Sequence, residues 1–194
     1  MPSGIRLVVG LGNPGEAYQG TRHNVGFRAV DGFVESAGGA WKRSPVGRGL
    51  TSRLAFPDRV VTAAKPHTFM NLSGEMVSGL ARYHGVGPGE ILVVCDDFSL
   101  PLGRLRIRQR GSAGGQNGLE SVIDRLGTQE VPRLRLGIGP VPPGQDSAAF
   151  VLSRFPAAER KEVDSMVERA AGAIRAVLED GLEPAMNAFN PSES

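Results

Sequence analysis

Short apolar runs alternate along the chain with turn-rich polar stretches and with segments whose apolar residues recur at helical spacing. IRLVVGLG (residues 5–12) is a nearly continuous apolar run and predicts a buried first strand. The polar NPGEAYQGTRHN follows as a turn. Phe27, Val30, Phe33 and Val34 then recur at helical spacing, and Gly38 and Gly39 close that helix. Residues 41–64 read as two or three short strands ending in RVVTAA. A helix is predicted from about residue 72 to 83, with Asn71 or Ser73 as its N-cap. EILVVCDD predicts a second buried strand and GRLRIRQR a more exposed one. SAGGQNGLESVIDRLG reads as a glycine loop leading into a helix, and RLRLGIG as a further strand.

The last long element has the clearest pattern. Val163, Met166, Val167, Ala170, Ile174, Val177 and Leu178 form one apolar stripe, with Pro156 at its start and Gly181 just past its end. VPPGQD (141–146) is a loop inside the domain, and the terminal NPSES reads as a frayed tail. Strands alternating with helices imply the α/β class, a sheet covered on both faces. The arginine-rich strand adds a more exposed, antiparallel part. The length of 194 residues fits a single domain over 1–190, with 191–194 as tail.

Charge enters through its distribution. The net charge is only +2, yet Arg104, Arg106, Arg108 and Arg110 alternate along one predicted strand, and Arg133 and Arg135 along another. Strand side chains alternate faces, so each set shares a face. Such a row is a solvated face or a phosphate-binding one, and like charges side by side repel unless an anion lies between them. The single cysteine, Cys95, excludes an internal disulfide and points to a reducing compartment. The start reads as a strand, not a signal peptide, and no apolar run is long enough to span a bilayer. A cytoplasmic location is the expectation.

Gly10, Gly12 and Gly15 match the dinucleotide fingerprint as a string. That fingerprint requires the glycines to open a helix, and here Pro14 and YQGTRHN follow instead. GGQNG (114–118) is a better anion candidate, because its backbone N–H groups precede a helix. Of three histidines, His84 ends a helix beside Gly85 and His67 lies in a loop with no obvious partner. His23 follows a strand and turn, where loops present functional groups. Asn13, Asn71 and Asn117 sit at element boundaries, as caps, turn residues or polar site groups. Asp96 ends the strand ILVVC. Ligands bind at the carboxyl ends of strands in α/β sheets, so Asn13, Asp96 and His23 are expected to converge on one rim. A carboxylate beside a histidine fixes its tautomer and steadies the imidazolium, and amides steady an oxyanion without adding charge. There is no metal-ligand spacing of His or Cys and no nucleophile elbow. Cys95 sits in an apolar strand, so water is the expected attacker.

Taken together, VVGLGNPGEAYQGTRHNVG, KPHTFMNLSG, ILVVCDDFSLPLG, GSAGGQNGL and RLRLGIG resemble, in order and spacing, bacterial-type peptidyl-tRNA hydrolase over nearly the whole chain. The resemblance implies a mixed twisted sheet between helices in one domain, usually a monomer, without metal or other cofactor. It implies hydrolysis of the ester joining a peptide to tRNA. His23 would be the base, Asp96 would hold and polarise it, and Asn13 would select N-blocked substrates. Tyr18, Phe69, Asn71 and Asn117 would bind the acceptor end of the tRNA, and Arg106, Arg108 and Arg135 its phosphates. The sequence departs from the family at Cys95 and Gln116, where histidine is common, and at Ser99, where aspartate is common. The competing reading is a non-hydrolytic RNA-binding relative, against which the intact set of His23, Asp96 and the three asparagines argues.

Overall fold

The computed structural model describes residues 4–191. The strands are β1 (Leu7–Gly10), β2 (Lys42–Arg43), β3 (Gly49–Ala55), β4 (Val60–Pro66), β5 (Ile91–Pro101), β6 (Leu105–Arg108) and β7 (Arg133–Gly139). They form one seven-stranded sheet in the order β2-β3-β4-β1-β5-β7-β6. The centre is parallel, with β1 between β4 and β5, and β5 beside β7. Both edges are antiparallel, β3 on β4 and β6 on β7. The expected mixed sheet with an antiparallel arginine strand is therefore present.

The helices are α1 (Val25–Ser36), α2 (Ser73–His84), α3 (Asn117–Leu126), α4 (Ser147–Val151), α5 (Arg160–Asp180) and α6 (Leu182–Phe189). Strand alternation divides the core between two faces. Val8, Leu92, Val94, Leu134 and Leu136 pack with Val30, Phe33, Ile174 and Val177 of α1 and α5. Leu7, Val9, Val93 and Cys95 pack with Val77, Leu80, Leu119 and Val122 of α2 and α3. The apolar stripe of α5 is buried as its spacing predicts, except that Val167 is only half-buried.

Three details differ from the sequence pattern. Neither Asn71 nor Ser73 caps α2: a 3-10 turn, Met70–Leu72, enters the helix, Leu72 is its N-cap, and the Ser73 hydroxyl donates to the Met70 carbonyl. The chain also resumes as α6 after Gly181, which has φ 102°. Asn190, expected in a frayed tail, is tied to the β6 edge. It accepts from Ile107 N at 2.6 Å and donates to Ile107 O at 3.1 Å. Residues 192–194 of that expected tail lie outside the described residues.

One close approach sets up the site. A Cβ on Gly26 would meet Val94 O at 2.5 Å and Leu11 O at 2.7 Å, so only glycine lets the start of α1 lie against the ends of β1 and β5. His23 stands three residues before Gly26, and Asp96 two residues after Val94.

Candidate active site

β1 pairs with β5 only as far as Gly10 and Val94. Beyond that point the chain leaves β1 and β5 runs on, leaving a gap at the strand ends, the usual place for a ligand in an α/β sheet. Asp96 is 1% exposed, and its Oδ2 lies 2.8 Å from His23 Nδ1. A carboxylate only accepts, so Nδ1 carries the proton and Nε2 is the free base of the ring. Nε2 has no hydrogen-bond partner among the described residues. The second oxygen, Oδ1, accepts from Gln116 Nε2 at 3.0 Å. Gln116 Oε1 in turn accepts from Leu119 N at 2.7 Å as the N-cap of α3. A buried carboxylate is costly without such partners, and these two fix its plane.

Asn13 is oriented just as tightly. Its Oδ1 accepts from Met70 N at 2.8 Å, so its Nδ2 faces away with both protons free to donate. Its backbone N–H donates to Asn24 Oδ1 at 2.9 Å, and Asn24 Nδ2 donates back to Asn13 O at 2.9 Å. The segments carrying Asn13, His23 and Asp96 thus converge, as strand-end logic predicts, and Met70 and Gln116, which it did not name, join them.

The turn bearing His23 is clamped from behind. Arg22 is 6% exposed, with its guanidinium 4.5 Å from the Phe150 ring and 5.0 Å from that of Phe155. It donates to Ser153 Oγ at 2.7 Å and Arg154 O at 2.6 Å, and pairs with Glu159 at 3.2 Å. Replacing Arg22 with alanine is expected to cost about 3 kcal/mol, lowering Tm by roughly 6–12 °C for a domain of this size. Thermal denaturation reads this directly, and kcat should fall more than KM rises because His23 loses its support.

Residues 7–194 match the sequence model of the family described as Peptidyl-tRNA hydrolase. The chain belongs to the peptidyl-tRNA hydrolase family. It is 48% identical over 189 residues to the peptidyl-tRNA hydrolase of Elusimicrobium minutum, covering 96% of this chain and 99% of that one. It is 46% identical over 186 residues to that of Chloroflexus aurantiacus, covering 95% and 98%. The crystal structure of peptidyl-tRNA hydrolase from Acinetobacter baumannii superposes with a TM-score of 0.91 at 30% identity, covering all of this chain and 98% of that one.

Within this peptidyl-tRNA hydrolase fold the remaining sequence candidates are placed as follows. Phe69 is 59% exposed, and Asn71 is exposed two residues on. Both flank Met70, whose N–H holds Asn13 and whose sulfur accepts from Gln116 Nε2 at 3.4 Å. Asn117 is exposed at the first residue of α3, next to Gln116. Tyr18 is half-buried at the end of a 3-10 turn, with its carbonyl accepting from the Thr21 hydroxyl at 2.8 Å. Each set of arginines shares a face of its strand, as alternation predicts, and the register puts both sets on one face of the sheet: Arg106 lies opposite Arg135, and Arg108 opposite Arg133. Their roles divide, however. Arg133 is 1% exposed and spends its donors on the carbonyls of Val131, Ser112, Gly111 and Gln129, so it builds the loop before α3 and is withdrawn from any phosphate. Burial, and then Arg135, lower its pKa to about 10. Arg135 pairs with Asp97 at 3.4 Å and donates to Ser112 O at 2.8 Å. Arg104, Arg106 and Arg108 have no acidic partner within 4 Å among the described residues.

The departures from the family pattern also find places. Cys95 is fully buried on the face opposite Asp96, against α2 and α3, and burial followed by the Asp96 charge pushes its thiol up to about 12. It stays neutral and is no nucleophile. Ser99 N donates to Asp97 Oδ1 at 2.8 Å. Arg22, Asn24, Met70 and Gln116 are site-building residues to which the sequence assigned no role. The only signal for Arg22 and Asn24 was their position on either side of His23.

Proposed function

We propose that this chain hydrolyses the ester between peptide and tRNA in peptidyl-tRNA released from stalled ribosomes, giving free peptide and tRNA. The observation that carries this reading is the buried Asp96–His23 pair, 2.8 Å apart, with Nε2 left as the basic nitrogen. Water on Nε2 gives its proton to the ring as its oxygen attacks the ester carbonyl. Asp96 steadies the imidazolium that forms. The free N–H bonds of Asn13 Nδ2 stabilise the developing oxyanion and select N-blocked substrates. As the carbonyl reforms, the ester bond breaks and the ribose oxygen leaves with the proton from His23. The step runs through no metal or cofactor, because the leaving alkoxide is protonated by the histidine itself.

The acceptor stem and 3′ end lie toward β7 and β6. Phe69 offers an exposed ring for stacking on a base, and Tyr18, Asn71 and Asn117 hold the terminal nucleotides. Arg106, Arg108 and Arg135 hold phosphates, which position the tRNA without reading its sequence. The protein acts as a monomer in the cytoplasm, where its substrate arises. None of the described helices is long and apolar enough to cross a membrane.

The test is incubation with N-acetyl-aminoacyl-tRNA and with free aminoacyl-tRNA. Release of the blocked amino acid, with the free one spared, is the expected result. Tight tRNA binding without release would favour the non-hydrolytic RNA-binding relative. Arg108→Ala should reduce the slope of log K against log salt by about 0.7–0.9 if one phosphate contact is lost. Filter binding over a salt series measures this, and an unchanged slope would make Arg108 part of a solvated face.

A further inference from the structure

A separate group of arginines lies behind the turn that carries His23. Arg28 of α1, Arg160 at the start of α5 and Arg154 just before it line a pocket of about 290 Å³, at the small end of the range for ligand pockets. Phe155 and Val163, both buried, supply its apolar floor. Gly20 forms part of the wall. A Cβ there would meet Arg154 Nη1 at 3.0 Å, so this guanidinium lies against bare backbone.

The acids nearby are paired or turned away. Asp164 pairs with Arg28 at 2.6 Å, and Glu159 with Arg22 at 3.2 Å. Glu162 reaches toward Gly103 instead. Arg154 and Arg160 are exposed, and among the described residues neither has an acidic partner within 4 Å. Like charges that face one pocket repel unless an anion lies between them.

We propose that this pocket binds the phosphate group of a free small molecule, held by Arg154 and Arg160 with Arg28 beside them. Charge selects the class. Three guanidiniums against the one carboxylate of Asp164 leave two positive charges, which match a phosphate monoester, close to a dianion at pH 7. Guanidinium forks also fit phosphate oxygens in pairs. Position separates the pocket from the proposed tRNA path. Leu105 and Ile107 pack into the core under α1 and α5, so Arg106 and Arg108 point to the opposite face of the sheet. Phe155 and Val163, the pocket floor, belong to the α1 and α5 side. Occupancy reaches the catalytic turn through the backbone. Arg154 bridges to Thr21, and its carbonyl accepts from Arg22 at 2.6 Å. A bound phosphate ties α1 and the start of α5 to the segment that clamps the His23 turn.

The test uses inorganic phosphate and glucose 6-phosphate as probes and thermal denaturation as the readout. Either probe at about 10 mM should raise the wild-type Tm by about 3 °C over chloride of equal ionic strength, the rise expected when ligand exceeds Kd about fivefold. The double variant Arg154→Gln with Arg160→Gln should lose that rise, whereas Arg106→Gln with Arg108→Gln should keep it. Arg154 and Arg160 are exposed, so their replacement leaves the core intact. No rise in the wild type with either probe, or an equal rise in the Arg154 and Arg160 double variant, overturns the assignment. A second arm measures tRNA binding over a salt series. The slope of log K against log salt should be the same in the wild type and in that double variant. A slope reduced by about 0.7 or more would mean that these arginines hold tRNA phosphates, which overturns the assignment to a free small molecule. The hydrolase reading stands or falls separately from either result.

Discussion

His23→Ala lowers kcat on N-acetyl-aminoacyl-tRNA by about 10³-fold or more, within the range that a positioned general base contributes, while tRNA affinity changes little. With Nδ1 donating to Asp96, Nε2 is the site's basic nitrogen, and alanine leaves nothing to take the proton from water. The phosphate contacts proposed for β6 and β7 are made elsewhere on the sheet, so binding survives. The substitution also removes one partner of a buried carboxylate, costing about 1–3 kcal/mol of stability. Gln116 still donates to the other oxygen, so Asp96 is not orphaned. Measuring kcat, tRNA affinity and Tm on the same preparation separates the lost base from a lost fold. Turnover close to wild type would remove His23 from its role.

Asp96→Asn should be nearly as severe, lowering kcat by about 10²–10⁴-fold through the wrong histidine tautomer. Asparagine keeps the shape but has a single accepting oxygen. That oxygen cannot satisfy both Gln116 Nε2–H and His23 Nδ1–H in the geometry that two carboxylate oxygens now serve. If the amide nitrogen turns toward the ring, Nδ1 must accept and the proton moves to Nε2, which then has no lone pair for water. A double variant, His23→Ala with Asp96→Asn, should be no slower than His23→Ala alone, because the two residues act as a unit. Additive losses would show that Asp96 acts on the substrate independently of His23.

The relation between sequence and site follows a physical pattern. The residues proposed to present chemistry could be picked out in the sequence: His23, Asn13, Asp96, Asn71 and Asn117 stand at element boundaries, where loops carry function, and Phe69 came from the family resemblance. The residues that hold them could not be. Arg22 looks like a surface cation, yet it is buried between two aromatic rings contributed by residues 150 and 155. Met70 and Gln116 read as filler and as a departure from the family pattern, yet they connect Asn13, Asp96 and the start of α3. The tertiary contacts among these range from 20 residues of chain, Gln116 to Asp96, to 137, Arg22 to Glu159, and no local period encodes them.

The fold was legible to a similar depth. Apolar runs and stripes located the central strands and α1, α2, α3 and α5. The helix α6 was missed because Gly181 interrupts the pattern and Pro184 sits in its first turn. Within the arginine pattern, alternation correctly put Arg106 with Arg108 and Arg133 with Arg135 on one face of each strand, but it carries no information on strand register or on depth. Arg133 lies on the inner strand β7 and is buried, whereas Arg108 lies on the edge strand β6 and is exposed.

In the proposed reaction one water, deprotonated by His23, cleaves the ester in a single displacement. Cys95, the one thiol, is buried on the face of the sheet opposite Asp96 and is no candidate nucleophile. Rapid-quench hydrolysis of doubly labelled N-acetyl-aminoacyl-tRNA, with enzyme in excess, tests this directly. Free tRNA and free N-acetyl-amino acid should appear together with one rate constant. A burst of tRNA ahead of the amino acid would reveal a covalent acyl-enzyme and contradict the single displacement.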